Sequence, residues 1–502
     1  MKYLQFVLLA FLFVSCSSFE VKNAQQVDQF PTIYPDYTFV TVPSTIAPLN
    51  FQLQDSTVEA ISATFSGKKL QLTCSGAQCI DINEAKWHTL LAENVGDSIL
   101  VSVSALKEGN WQTFKKFPIY ISADSIDYAL HYRLIAPGYG YFSPMEVVER
   151  NLSNFEMSTI YSDKQLVGGC MNCHTSKQCD TRYSSTHFRG AHGATIIRRG
   201  NDYKAYNLKP KADALPCVYS YWHPSGRYVG YSQNATRQVY FIADNQKIEV
   251  FDLESDVVVL DIETNKLLSS PLLQTKYFES SPTFSPNGKT MYFNTAAPCD
   301  TFEINYDKVK YVLCSIAFDA ETGEFGQTVD TLIDARSQGK SIAWAKPSYD
   351  GKFILYTLAN YGQFAIWHPE ADLWIYNLQT KETHPLVLAN STNTESYHNW
   401  SSNSRWIVFT SRRDDGYFSL PYLAHIDEQG NAGKAFLLPQ QNPRDYYDQE
   451  LKSYNLPDFA IAPTQYDANL VESMLYNVER QNVSGDYVRG AQVTNKNLME
   501  HY

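Results

Sequence analysis

The chain has 502 residues, room for two or three domains, and 44% of them are hydrophobic, a globular composition. A net charge of −12 argues against a general nucleic-acid binder, whose phosphate contacts demand a basic surface. Aromatic residues make up 14%, with 35 tyrosines, which favours strands over helices.

Residues 1–16, MKYLQFVLLAFLFVSC, combine an early lysine, an apolar run too short to span a bilayer comfortably and a small-residue end. That pattern is a secretory signal peptide. Its Ser15-Cys16 end resembles a bacterial lipoprotein signal, which implies cleavage before Cys16, acylation of that thiol and an outer-membrane anchor facing the periplasm or the surface. The alternative is ordinary cleavage near Ser17. Residues 17–34 are polar and read as a tether. Residues 35–124 hold short alternating runs such as YTFVTV, KLQLTC and SILVSVSAL, which predict a small β-sandwich with one short helix at Asn83 to Ala92.

From about residue 217 the chain repeats itself. SYWHPSGRYVGYS, SPTFSPNGKTMYFN, AKPSYDGKFILYT and HNWSSNSRWIVFT place Gly226, Gly288, Gly351 and Ser404 in equivalent positions. Each copy is a turn, a basic residue and an alternating strand, and each is followed by a second strand pair such as SDVVVLDIETNK. Gly suits a left-handed turn residue and Ser suits it less, so the fourth turn is expected to differ in type. A repeat of this length built from four strands predicts a propeller blade, and strands around 127–161 and 194–208 bring the expected number to about six. The expected architecture is all-β: the sandwich, then a β-propeller over 125–464 that carries a haem-type insertion at 162–193, then a helical tail over 465–502.

Within that insertion, Cys170-Met171-Asn172-Cys173-His174 is the full C-x-x-C-H pattern of covalent haem c attachment. Two thiols add to two vinyl groups of one porphyrin, and the following histidine ligates iron. His187 is the first choice for the second iron ligand, with His192 and Met157 behind it, while His223 in a blade turn reads as structural. Arg182, Arg189, Arg198 and Arg199 are candidates to pair with haem propionates. The alternative cofactor is zinc on Cys170, Cys173, His174 and Cys179. Removing a lipidated Cys16 and two haem thiols from the nine cysteines leaves six, for which Cys74–Cys79, Cys299–Cys314 and Cys179–Cys217 are the natural disulfide pairs in an exported chain.

The repeat turns and the stretches YRLIAPGY, GGCMNCHT, THFRG, IWHPEADLWIYNL and LKSYNLPDF together resemble the TolB-like, WD40-like propeller lipoproteins of Bacteroidetes, often labelled cytochrome c biosynthesis proteins. The resemblance spans most of residues 125–460 and implies a TolB-like propeller in the cell envelope; Cys179 departs from its expected pattern. No G-x-S-x-G elbow, Walker loop, H-E-x-x-H or EF-hand loop occurs, and the adjacent Asp414 and Asp415 point apart, so no catalytic constellation is legible. Two functions remain. One is a monohaem lipoprotein for electron transfer or redox sensing with an unnamed redox partner. The other is a non-catalytic propeller scaffold for an envelope protein or glycan, its C-x-x-C-H segment structural.

Overall fold

The computed structural model describes residues 19–137, 145–163, 169–241 and 246–485. The signal segment with Cys16, and the end of the expected tail from 486, lie outside these residues.

Six sheets follow one another along the chain, antiparallel throughout except that a fifth strand, Gln481–Asn482, joins the second in parallel beside Asp202–Asn207. The third to sixth come from the recognised repeats. Their first strands are Cys217–Trp222, Phe278–Phe284, Ser341–Pro347 and Glu395–Trp400, and each pairs with the strand after its repeat turn: Tyr228–Tyr240, Thr290–Ala296, Phe353–Ala359 and Trp406–Ser411. Two more strands complete each set of four. The second sheet starts with Cys170–Lys177, followed by Asp180–Arg189, Ala194–Arg199 and Asp202–Asn207. The first sheet joins the two ends of this region: Ala129–Ile135, Glu146–Asn151 and Met157–Ser162 are completed by Ser453–Ala460, which pairs antiparallel with Ala129–Ile135.

Local chemistry explains why the repeat turns fold alike. The Ser285, Ser348 and Ser401 hydroxyls accept the backbone N–H of Thr290, Phe353 and Trp406 at 3.1, 3.0 and 2.9 Å. The same hydroxyls donate to Asn287, Asp350 and Asn403 at 2.7, 2.6 and 2.7 Å. Such short side-chain bonds to nearby backbone hold a turn without help from the core. Gly226, Gly288 and Gly351 have φ of 72°, 72° and 73°. Ser404 has φ 59°, so the fourth turn is of the same kind and the expected difference is corrected. Its hydroxyl accepts the Asp350 N–H of the neighbouring sheet at 3.0 Å, a bond glycine cannot make.

The segment expected as a haem-bearing insertion is no insertion: Cys170–Lys177 is the first strand of a four-strand set like the others. The N-terminal region also departs from its expected form. In place of a two-layer sandwich it has one seven-stranded sheet, a two-stranded ribbon of Ile33–Tyr34 with Gln52–Leu53, and the helix Glu84–Glu93. Asn83 caps that helix by accepting the Lys86 N–H at 3.1 Å, and Trp87, Leu90 and Leu91 are its buried face. This region shares one apolar core with the sixth sheet: Val42, Phe65 and Trp87 belong to the same buried cluster as Trp406, Leu423 and Phe436. In the tail, Ala468–Asn477 is helical as expected, and buries Val471, Met474 and Leu475 against Met171, Phe188 and Ile196 of the second sheet. A further helix, Pro443–Glu450, had no clear sequence signal.

Candidate functional site: a cavity bounded by six bulged strands

Each of these six sheets carries the same irregularity on the strand at one end of its pairing order. Two residues there oppose one on the partner: Leu456-Pro457, Cys173-His174, Tyr219-Ser220, Ser281-Pro282, Trp344-Ala345 and Tyr397-His398, in sheets one to six. The first of each pair is left-handed, with φ of 52°, 53°, 52°, 54°, 55° and 49°. None is glycine, so each costs on the order of 1 kcal/mol or more that the surrounding packing must offset. A bulge re-aims the side chains beside it. These six positions all border one cavity of about 630 Å³, its open mouth included.

The cavity wall is aromatic and polar. Trp344 meets Tyr219 and Tyr397 at ring-centroid distances of 5.1 and 5.2 Å. Lys346 lies with its amine 4.8 Å from the centre of the Tyr221 ring, and burial lowers its pKa to about 8 although Asp458 pulls the other way. Asp458 accepts both the N–H and the hydroxyl of Ser176, at 3.3 and 2.8 Å, and burial raises its pKa. Beyond this wall Asp252 is held by Tyr311 at 2.6 Å, Asn234 at 2.7 Å and Gln363; burial still lifts its pKa to about 6. Gln363 also accepts from Ser281, which ties that network to the cavity ring.

The C-x-x-C-H segment is therefore one turn of a sixfold theme. Cys173-His174 is the bulge pair of the second sheet, and His174 stands where His398 stands in the sixth. His398 Nε2–H donates to Leu355 O at 3.1 Å and its ring also meets the Trp344 backbone, both in the preceding sheet. His174 faces the backbones of His131 and Leu456, the corresponding positions of its own preceding sheet, though neither ring nitrogen makes a hydrogen bond of good geometry. Burial is the first cause that depresses both histidines to about 3, so both are neutral seam residues.

These residues do not fit covalent haem. Attachment requires both sulfurs at one porphyrin edge and the histidine beneath the ring. Here Cys170 packs at the edge of the cluster with Met145, Met171 and Phe188, Cys173 borders the cavity, and His174 enters the seam between sheets. His187 lies on the adjacent strand opposite Thr195, whose hydroxyl bonds its Nδ1 at 2.9 Å, and its strand pairs with the motif strand at Asn172. Paired strands are about 4.8 Å apart with their ladder bonds between them, which leaves no slot for a porphyrin between His174 and His187. His192 is exposed and rests on Tyr476 at 4.5 Å, and Met157 is 43% exposed on an outer strand. Arg182 is spent on Asp180 at 2.8 Å, Arg198 on Gly200 O and Gln465 O, and Arg199 faces Glu263 at 3.8 Å. His223 is structural, wedged between Ser225 at 2.8 Å and Gly288 O at 2.9 Å.

The zinc set is not gathered either. Cys179 is buried elsewhere, its thiol directed to Trp400 O at 3.4 Å, and among the described residues no three His, Cys, Asp or Glu side chains cluster so as to hold a metal. The disulfide arithmetic is corrected in the same way: all eight described cysteines are free. Cys179 and Cys217 lie in different apolar cores, and Cys314 turns to Thr331 rather than to Cys299. The charged stretch at 411–418 is a braced turn, with Arg413 on Glu395 at 3.0 Å and Arg412 stacked 3.4 Å over Trp367. Asp414 and Asp415 diverge as expected, the first to Tyr422, the second to backbone N–H groups of its own loop.

Sequence reasoning passed over the ring. Its signal is a constant offset: the left-handed residue precedes the turn residue by seven positions at Tyr219/Gly226, Ser281/Gly288, Trp344/Gly351 and Tyr397/Ser404. Extended upstream, the same comparison matches Cys173 to a turn one residue shorter, in which Gln178 and Cys179 have φ of 47° and 65°.

No family model matches the chain, and no curated protein does. Solved structures similar to parts of it include a DUF4784 family protein from Bacteroides caccae, with a TM-score of 0.30 and 7% identity over 70% of this chain and 94% of that one. The tricorn protease gives a TM-score of 0.28 and 10% identity over 75% of this chain and 36% of its own. A prolyl endopeptidase gives 0.32 and 11%, over 62% and 42%. Likeness at this level says nothing about activity.

Proposed function

We propose that the six sheets are blades of a TolB-like β-propeller and that the chain is a non-catalytic binding scaffold of the cell envelope, lipid-anchored through Cys16. One observation carries this reading: a single cavity takes residues from a bulged strand of every sheet, from Cys173 round to Leu456. Six sheets arranged about one axis account for that, and the pairing of Ser453–Ala460 with Ala129–Ile135 supplies the closure such a ring needs. Propellers bind partners at the mouth of the channel, where loops from all blades converge. The haem reading has less support, because the motif residues are used as strand, seam and cavity wall.

The test is photo-crosslinking in cells. A crosslinking amino acid at Asn399, on the cavity wall, should give a discrete adduct, while one at exposed Lys266 on an outer strand should give none. A lysozyme-sensitive adduct identifies a glycan partner and a protease-sensitive one a protein. Absence of any adduct specific to Asn399 would sink the scaffold reading. Labelling with a palmitate analogue, lost in Cys16→Ala, tests the anchor.

A further inference from the structure

Most polar groups left over on the cavity wall can donate; the neutral His174 ring, both of whose nitrogens are bare, adds one that can only accept. Trp344 is 6% exposed and its indole N–H has no acceptor; Ser220 and Thr283, 8% and 3% exposed, have hydroxyls without partners. Lys346, partly exposed on the same wall, makes no hydrogen bond among the described residues; the Tyr221 ring face, the charge of Asp458 and the His398 ring are near its amine. All four residues line the same cavity. Buried polar groups in folded proteins are satisfied, so three bare groups beside a cation on one wall point to an occupant. Two of the four can only donate, and the other two can donate by rotating. A matching occupant brings acceptors. The fixed cation among these donors selects a negatively charged acceptor, and the Tyr219, Trp344 and Tyr397 rings offer an apolar wall for a short carbon body.

Opposing charge is muted. Asp458 is engaged by Ser176, and Asp252 is engaged by Tyr311 and Asn234, so neither carboxylate offers a free acceptor to Lys346. Cys173 adds a thiol to the wall, and His174 and His398 add neutral rings.

We propose that the cavity receives a carboxylate group, held by the Lys346 amine and the Trp344 indole N–H with the Ser220 and Thr283 hydroxyls beside them. The proposal rests on the scaffold reading and specifies the chemistry its partner presents. A carboxylate can come from a free organic acid, a sugar acid or a peptide C-terminus, and the test separates these.

The mature chain is melted in the presence of succinate, glucuronate and N-acetyl-alanyl-alanine, with glucose and inorganic phosphate as comparators at matched ionic strength. At least one carboxylate should raise Tm saturably by 2 °C or more, and the one that does names the source. Glucose and phosphate should leave Tm unchanged. Lys346→Met should abolish the response. If that variant does not fold, Trp344→Phe, which removes the indole donor and keeps an aromatic ring, should weaken the response at least threefold. The proposal is overturned if no carboxylate shifts Tm, if glucose or phosphate shifts it as much, or if both variants respond like the wild type. A missing carboxylate response with an intact Asn399 crosslink removes this inference alone. Loss of both removes the scaffold reading with it.

Discussion

Two strands invite direct comparison: Cys170–Lys177 in the second sheet and Glu395–Trp400 in the sixth. Both carry a two-for-one bulge, a left-handed first residue and a histidine second, and both histidines enter the seam with the preceding sheet. The sixth reads Tyr397-His398 and prompts no cofactor; the second reads Cys173-His174 and, with Cys170, spells a haem signal. The difference is one of residue identity at a shared backbone position. A short motif names a chemistry only in the structural context that chemistry needs. In the second sheet that context is a paired strand, where the two thiols separate to different environments.

The sharpest way to break the comparison is all-or-none. Expressed in a periplasm with cytochrome c maturation, the mature chain should show no covalent haem band on a denaturing gel. A band lost in Cys170→Ala would prove the two strands unlike. Next comes the seam. His174→Ala and His398→Ala should each cost about 2–4 kcal/mol, the usual range for hollowing a packed site, read as lowered denaturation midpoints. Loss for one and not the other would deny their equivalence.

Their titration offers a third probe. Both rings sit near 3 in the folded protein against about 6.5 unfolded, so between those values the folded state binds fewer protons. Their stabilising neutral state is complete above about pH 6.5 and is lost as pH falls toward 3. His187, also near 3, adds to this trend, while Asp252, near 6, opposes it as pH falls below that value. The clean measurement is thus the difference between wild type and the His174→Asn/His398→Asn double variant, which should shrink as pH drops from 7 to 4. The smallest effect concerns the turns. Ser404→Gly should gain roughly 1 kcal/mol of backbone ease and lose a hydrogen bond worth about the same, leaving stability within about 0.5 kcal/mol. Ser404→Ala should lose about 1 kcal/mol, since it keeps the strain and drops the bond to Asp350.

Much of the chain was readable in its residues because the signals are local. The turns at Gly226, Gly288 and Gly351, the strands they join, the helix capped by Asn83 and the helical start of the tail all follow from side chains that act within a few positions. The candidate site was readable only in part. Cys173 and His174 were singled out, but for a cofactor that needs both thiols side by side. Tyr219, Ser220, Thr283, Trp344 and Lys346 carried no motif, because what unites them is the meeting of six sheets at one cavity.

By itself the sequence determined an all-β chain of repeated four-strand units and the turn chemistry of each, since alternation and turn propensity are properties of neighbouring residues. Only the tertiary structure decided what the cysteines and histidines do. The fate of Cys170, Cys173, His174 and Cys179 depends on which way a bulged strand turns each side chain and on which sheet lies opposite, and neither is encoded within the segment that contains them.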